Sequence, residues 1–178
     1  MEAFKASRQG RVTARISADE RDYLLYLLAE LEPVLAPLPV AADQDPLAAM
    51  VGISSAVRPD EPGLLRLFPD AYADPDAAAE FRRFTEQGLR EAKTASLQTM
   101  RETLVGSGEK VVLSRPQAEG WISTLNDLRL LMGTRLGVTA EFSFGAEADP
   151  QDPATLAAAT YEFLGWVQGT LLFALDGA

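Results

Sequence analysis

Residues 74–104 read DPDAAAEFRRFTEQGLREAKTASLQTMRETL and form the longest stretch of helical periodicity in the chain. Asp74 offers a side-chain acceptor to the free N–H groups of a first helical turn, and Pro75 stands where its missing donor breaks no hydrogen bond. Apolar and small residues then recur at steps of three or four, and they are Phe81, Phe84, Gly88, Ala92, Ala95 and Thr99, with Leu89, Leu97, Met100 and Leu104 beside them. The pattern predicts a long central helix over 75–104 that places its charges, Arg90 among them, on the opposite side.

The chain before this helix predicts a β-hairpin over residues 1–16 and then a capped helix. Apolar side chains alternate with charged ones in two short runs, which contain Phe4 and Ala6, and then Val12, Ala14 and Ile16. This period of two is typical of strands, and Gly10 supplies the turn. Ser17 and Glu20 form a capping box at the start of the helix, and Pro33 ends or kinks it.

The region between this helix and residue 75 is rich in proline. Residues 33–75 hold eight of the eleven prolines, which predicts a connecting region with short helices at 46–50 and 62–67. Because its apolar residues are too many for a free linker, we expect the region to pack on the rest of the chain.

The chain after residue 104 predicts one more strand and two long helices. Residues 110–113 (KVVL) form a short strand suited to join the hairpin. Caps at Ser114 and Asp152 predict helices over 115–136 and 153–175. The sequence therefore predicts a single, mainly α domain over residues 1–178, with about five helices around a central long helix, a small hairpin and one short strand.

Composition excludes several classes of chemistry. The 178 residues contain neither Cys nor His, which removes thiolate nucleophiles, Cys/His zinc sites and the usual general base. The net charge of −10 repels phosphate backbones. No apolar run is long enough to span a membrane, and the N-terminus lacks a secretory h-region. We expect a cytoplasmic, non-catalytic protein without metal or cofactor, although a carboxylate-based enzyme or a small-ligand sensor stays open.

A cluster of charged residues on the 115–136 helix is the first candidate site. Arg129 and Arg135 flank an apolar stripe, and buried guanidinium groups require carboxylate partners. We expect these partners to be Asp70, Glu80 and Asp127. The cluster is either a structural ion-pair network or an acceptor for a partner's carboxylates. Its candidate residues are Arg66, Asp70, Glu80, Arg82, Asn126, Asp127, Arg129 and Arg135.

The helix over 153–175 is the second candidate, because it is apolar on two sides. One side contains Gln168 within an apolar stripe, and the other carries Phe163, Trp166 and Phe173. Such a helix is central or forms half of a helix–helix interface, either with a protein partner or in a homodimer.

The hairpin offers a different interpretation, in which the protein is a DNA-binding regulator. Its cations are Lys5, Arg8, Arg11 and Arg15. The overall acidity and the lack of interleaved aromatic residues disfavour nucleic acid as a partner.

Several segments resemble an actinobacterial family whose domain has no known function. They are residues 66–72 (RLFPDAY), 80–83 (EFRR), 125–130 (LNDLRL), 133–137 (GTRLG) and 161–165 (YEFLG), with Phe4, the Ser17-capped helix and Gln168. The resemblance covers nearly the whole chain and departs at Met132, where a smaller or aliphatic residue is expected. Members are often encoded beside the Clp-protease adaptor ClpS, and some carry a transcriptional-regulator label. The resemblance therefore implies an interaction or regulatory protein, with a possible link to Clp-dependent proteolysis.

Overall fold

The computed structural model describes residues 1–7, 10–37, 58–138 and 152–177. Its strands are β1 (Lys5–Ser7), β2 (Arg11–Arg15) and β3 (Lys110–Leu113), and its helices are α1 (Ala18–Leu35), α2 (Pro62–Leu67), α3 (Pro75–Gly106), α4 (Arg115–Arg135) and α5 (Pro153–Asp176). The described residues are 71% helical, which confirms the mainly α fold. The helix predicted at 46–50 lies outside the described residues.

Local capping explains where the helices begin. The Ser17 hydroxyl accepts from the Glu20 N–H, and the Glu20 carboxylate accepts from the Ser17 N–H at 2.8 Å. Asp74 and Asp152 accept from backbone N–H groups of the turns that they start. Of the two alternatives for Pro33, a helix end at that residue is wrong, because α1 continues two residues past it to Leu35. Proline in a last turn removes only one hydrogen bond, so the helix tolerates it there.

The three strands form one antiparallel sheet in the order β1-β2-β3. Gly10 adopts a φ of 68° in the turn, and β3 pairs with β2 so that Val12 lies opposite Leu113. Val12, Leu113 and their neighbours on that face are buried, and Phe4 meets Trp121 edge-on with ring centroids 5.7 Å apart. We expect Ala6 on this face, and it stands opposite Val12 in the register, but it is exposed.

The helical core forms around α4. Helix α3 packs on α1 and α4, and α4 also packs on α2 and α5. Trp121 is wholly buried, and its indole N–H donates to the Thr103 hydroxyl at 2.7 Å. Helix α4 ends at Arg135, and Gly137 just beyond it has a φ of +63°. None of the helices in the described part of the chain has the length and apolar character needed to cross a membrane.

The buried side of α3 differs from the prediction in the first half of that helix. Phe81 and Phe84 are 44% and 58% exposed, although they were expected to face the core. The side chains that face inward instead are Ala78, Arg82, Glu86 and Arg90. Beyond Leu97 the prediction is confirmed, since the buried residues there are Leu97, Met100 and Leu104.

Candidate functional site

A row of three buried charges on α3 is the most unusual feature of the core. Arg82, Glu86 and Arg90 lie one turn apart and are 5%, 3% and 4% exposed. The two Glu86 oxygens serve different arginines: Oε2 accepts from Arg82 at 3.0 Å, and Oε1 accepts from Arg90 at 2.8 Å. Each guanidinium thus has a carboxylate partner, which buried arginines require because they do not lose their proton.

The remaining donors of the arginines tie α3 to two other segments. Both terminal nitrogens of Arg82 donate to the Phe68 carbonyl at 3.2 Å, just after α2. Arg90 donates to the carbonyls of Val34 and Ala36 at 3.0 Å, at the end of α1, and its guanidinium lies 4.2 Å from the centroid of the Phe68 ring. The triad therefore holds the ends of α1 and α2 against α3.

Asp70 extends the triad to the surface. It accepts from Arg82 at 2.6 Å and from the exposed Arg58 at 2.8 Å, and the hydrogen bonds from Arg58 and then Arg82 hold the pKa of its carboxyl below the ordinary range. A cleft of about 390 Å³ opens beside these residues and Tyr72. Both guanidinium groups that line the cleft are paired with the Asp70 carboxylate.

Asp127 forms a second buried ion pair. Its side chain is 2% exposed and accepts from the ammonium of Lys93 at 2.6 Å, while Oδ2 has no hydrogen-bond partner among the residues that the structure describes. Burial raises the pKa of the Asp127 carboxyl, and Lys93 opposes this shift. The pair joins α3 to α4. Across residues 1–7, 10–37, 58–138 and 152–177, no three carboxylates come together in a group that would hold a metal ion.

Arg129 forms hydrogen bonds, but it does not pair with any of the carboxylates that the sequence led us to expect. It donates to Gln168 Oε1 at 2.6 Å and to the Tyr161 hydroxyl at 3.3 Å, and it lies 5.0 Å from the Tyr161 ring centroid. Gly165 makes room for it, since a Cβ there would stand 3.4 Å from Arg129 Nε. An amide oxygen, a hydroxyl and an aromatic face therefore engage Arg129, while its buried Nε has no hydrogen-bond partner among the described residues. The expected pairing with Asp70, Glu80 or Asp127 is wrong.

The other members of the predicted cluster are dispersed. Arg135, Asn126, Glu80 and Arg66 are exposed, and in the described part of the chain none of them takes part in an ion pair. The pairing expected for Arg135 is therefore also absent from that part. Within the described ranges the structure brings together Asp70 and Arg82 of the predicted cluster, and Glu86 and Arg90 join them. Asp127 pairs instead with Lys93. Sequence reasoning missed Glu86, Arg90 and Lys93. The spacing of four between Arg82, Glu86 and Arg90 was the available signal.

The outer face of α5 exposes large aromatic side chains. Phe173 is 82% and Trp166 is 43% exposed, while Phe163 is partly buried. Gln168 lies on the inner side of the helix, where its amide also donates to the Ile122 carbonyl at 3.3 Å. The two sides predicted for this helix are thus both present. Exposed aromatic residues grouped on one face are typical of a surface that another protein covers.

A groove runs along the junction of this face with α1. It has a volume of about 340 Å³, and its lining includes Tyr23, Leu156 and Phe163. The Tyr23 hydroxyl is hydrogen-bonded to Thr160, which joins the two helices. The ring of Tyr26, also on α1, stacks on the ring of Tyr23 with centroids 6.5 Å apart.

The outer face of the sheet is basic. Lys5, Arg11 and Arg15 are exposed on it, and Arg8 lies outside the described residues. Strand β3 adds Lys110, which stands opposite Arg15 in the register. Sequence reasoning missed Lys110, because only the register of the sheet places it beside the cations of the hairpin.

Comparison with known proteins finds mycobacterial relatives that are named as regulators. The chain is 30% identical over 155 residues to the oxidative stress regulator AosR of Mycobacterium tuberculosis, an alignment that covers 78% of this chain and 70% of the relative. It is 30% identical over 144 residues to the putative oxidative stress regulator AosR of Mycobacterium leprae, covering 72% of this chain and 66% of the relative. The chain thus spans about two thirds of that relative's length. No solved structure matches it. The family described as Domain of unknown function (DUF2017) matches residues 1–175, and the chain belongs to that family.

Proposed function

We propose that the chain is a non-catalytic regulatory protein of the oxidative stress response, and that it acts by binding a protein partner through the outer face of α5. The names of its mycobacterial relatives support the regulatory role. One observation supports the mode of action: Phe173 and Trp166 are exposed on the same helix. Exposed Trp and Phe side chains are enriched at protein interfaces and often dominate their binding energy.

The proposed role places the oxidant-sensing chemistry elsewhere. Thiol-based sensing requires a reactive cysteine, and these 178 residues contain none. In this proposal the chain therefore responds to a partner whose own state changes with oxidation. In its more specific form, the partner belongs to cytoplasmic Clp-dependent proteolysis, which is supported by the family resemblance alone.

Affinity capture from lysate with paired variants tests the proposal. Phe173→Ala and Trp166→Ala are expected to lose a partner that the parent chain retains, because each removes an exposed aromatic anchor without opening the core. Val105→Ala is the matched control, since Val105 is 67% exposed on α3, and it should retain the partner. If all three variants capture the same proteins as the parent chain while a metabolite raises its melting temperature, a ligand sensor or an enzyme replaces the binding protein.

A second candidate function, nucleic-acid binding, is supported by the basic face of the sheet. Its four cations, Lys5, Arg11, Arg15 and Lys110, are exposed, and none forms an ion pair with a described residue. The net charge of −10 opposes this function. A mobility-shift titration decides: binding at low salt that Arg11→Ala and Lys110→Ala abolish supports it, and no shift at low salt dismisses it, because phosphate contacts are strongest there.

A further inference from the structure

The exposed side of α1 repeats one arrangement of residues. Asp19 precedes Tyr23 by one turn, and Asp22 precedes Tyr26 by one turn. The two tyrosine rings stack with centroids 6.5 Å apart and planes 17° from parallel, and Tyr26 is 57% exposed. Two aromatic faces and two carboxylates therefore share one patch of surface. A cation is attracted both by the face of an aromatic ring and by a carboxylate.

This patch is continuous with the apolar groove. Asp19 and Tyr23 line the groove together with Leu156, Ala159 and Phe163 of α5. Leu156 is 60% exposed, so the groove is open to a partner. Helical spacing then continues the apolar surface along α5 from Phe163 to Trp166 and Phe173.

Exposed carboxylates lie in or next to the lining of the groove, whose other acid, Glu20, is paired with the N-terminal ammonium of Met1. Asp19 and Asp22 on α1 and Glu162 on α5 are exposed, and none of them has an ion-pair partner within the described ranges. Asp19 stabilises the first turn of its helix, but Asp22 and Glu162 lie beyond the first turns of theirs. The surface therefore combines an apolar centre with an uncompensated negative rim.

A second copy of the chain does not fit this surface. In a twofold interface the same patch faces itself, so the acidic residues of one copy would face the acidic residues of the other. Like charges placed face to face across an interface oppose association. Charge complementarity favours a partner with cations beside its apolar residues.

We propose that the α1–α5 groove binds a positively charged amphipathic segment of a protein partner. Apolar side chains of the segment enter the groove between Tyr23 and Phe163, as in other helix-in-groove complexes. An Arg or Lys side chain lies over the Tyr26 ring, within reach of Asp22. This inference rests on the proposed function for the idea that a protein covers α5, and it adds the chemistry of that protein.

A pair of designed peptides tests the proposal on the full chain. Both are roughly 18-residue amphipathic helices, about five turns long, with the same leucines on one face and either Arg or Glu at the polar positions. Binding is followed by the emission of Trp166 and by NMR shifts of α1 and α5, while the wholly buried Trp121 reports that the fold is intact. We expect the Arg peptide to bind saturably with shifts confined to the groove, and the Glu peptide not to bind.

Charge variants then separate the rim from the overall acidity. The double variant Asp19→Asn with Asp22→Asn should weaken binding of the Arg peptide about tenfold at low salt, since each of the two exposed charge contacts contributes about threefold in affinity. Glu80→Gln with Glu102→Gln removes two exposed carboxylates of α3 and is the matched control, with an expected change of less than about twofold. Tyr26→Leu keeps the apolar area and should weaken binding about threefold through the lost cation–ring contact.

The outcomes separate this inference from the proposed function. Equal binding of both peptides, or an equal effect of the two double variants, overturns the charge-complementary groove. A dimer that forms without peptide and that Phe173→Ala dissociates replaces the partner with a second copy. If the Arg peptide does not bind while Phe173→Ala still loses its cellular partner, only the peptide chemistry is wrong. If the peptide binds but no surface variant changes the captured partner, the proposed function fails instead.

Discussion

Replacing Glu86 with Gln should destabilise the fold far more than a surface change of the same kind. Glu86 is 3% exposed and is the carboxylate between Arg82 and Arg90. Removing its charge leaves two buried guanidinium groups next to each other. Breaking a buried pair costs about 3–5 kcal/mol, and the lower end applies because Arg82 keeps Asp70 and Arg90 keeps two backbone carbonyls.

The expected loss of about 3 kcal/mol corresponds to a melting temperature lower by roughly 6–12 °C for a chain of this size. Urea titration and thermal melts followed by circular dichroism measure it. Glu119→Gln is the matched control, because Glu119 pairs with Arg115 at the same spacing of four, with side chains 59% and 64% exposed. An exposed pair contributes less than about 1 kcal/mol. Equal losses in the two variants would refute the idea that burial makes the α3 triad important.

The triple variant Arg82→Met, Glu86→Leu and Arg90→Met tests whether the buried charges stabilise the fold more than apolar side chains would. Apolar side chains of similar volume remove the desolvation cost of all three charges together, so stability should be retained or rise by about 1–4 kcal/mol. If the triple variant were less stable than Glu86→Gln, the contribution of these residues to stability would come mainly from the hydrogen bonds of the arginines to backbone carbonyls and not from charge balance.

Two further predictions concern α4 and its end. Lys93→Met leaves Asp127 buried without its cation and should lower the free energy of unfolding by about 3 kcal/mol at neutral pH. Burial raises the pKa of the Asp127 carboxyl above its ordinary value of 3.8, so the folded state binds the proton more tightly than the unfolded state, and stability falls as the pH rises above that value. Asp127→Asn should remove this pH dependence in urea titrations across the acid range. Gly137→Ala should cost about 1 kcal/mol because the position has a φ of +63°, whereas Gly88→Ala, in the open interior of α3, should stabilise by about 0.5–1 kcal/mol; a thermal melt that gives both variants the same sign contradicts this.

Local signals predicted the elements well, and tertiary contacts decided the site. Caps such as Ser17 and Asp74 act within one turn, so the starts of the helices follow from a few adjacent residues. The buried side of α3 depends on distant groups, because Arg90 is satisfied by the carbonyls of Val34 and Ala36 and by the Phe68 ring. Apolar periodicity alone favoured Phe81 instead.

The same limit applies to the partners of single residues. The choice of Gln168 over a carboxylate for Arg129 depends on how α5 docks on α4. Nothing in the spacing of either helix specifies that arrangement. The exposed face of α5 could be predicted from the sequence, because the helical period alone defines it. The place of Lys110 beside the hairpin cations could not be predicted, because it depends on the pairing register of the strands.

The order of the strands also has a consequence for how the chain folds during synthesis. The middle strand, β2, is made early, but its partner β3 follows only after α1, α2 and α3. A two-stranded hairpin is marginally stable by itself, and one edge of β2 stays unpaired until β3 is made. Nascent chains that stop before residue 110 therefore expose an unpaired strand edge, and they are the species most in need of a chaperone.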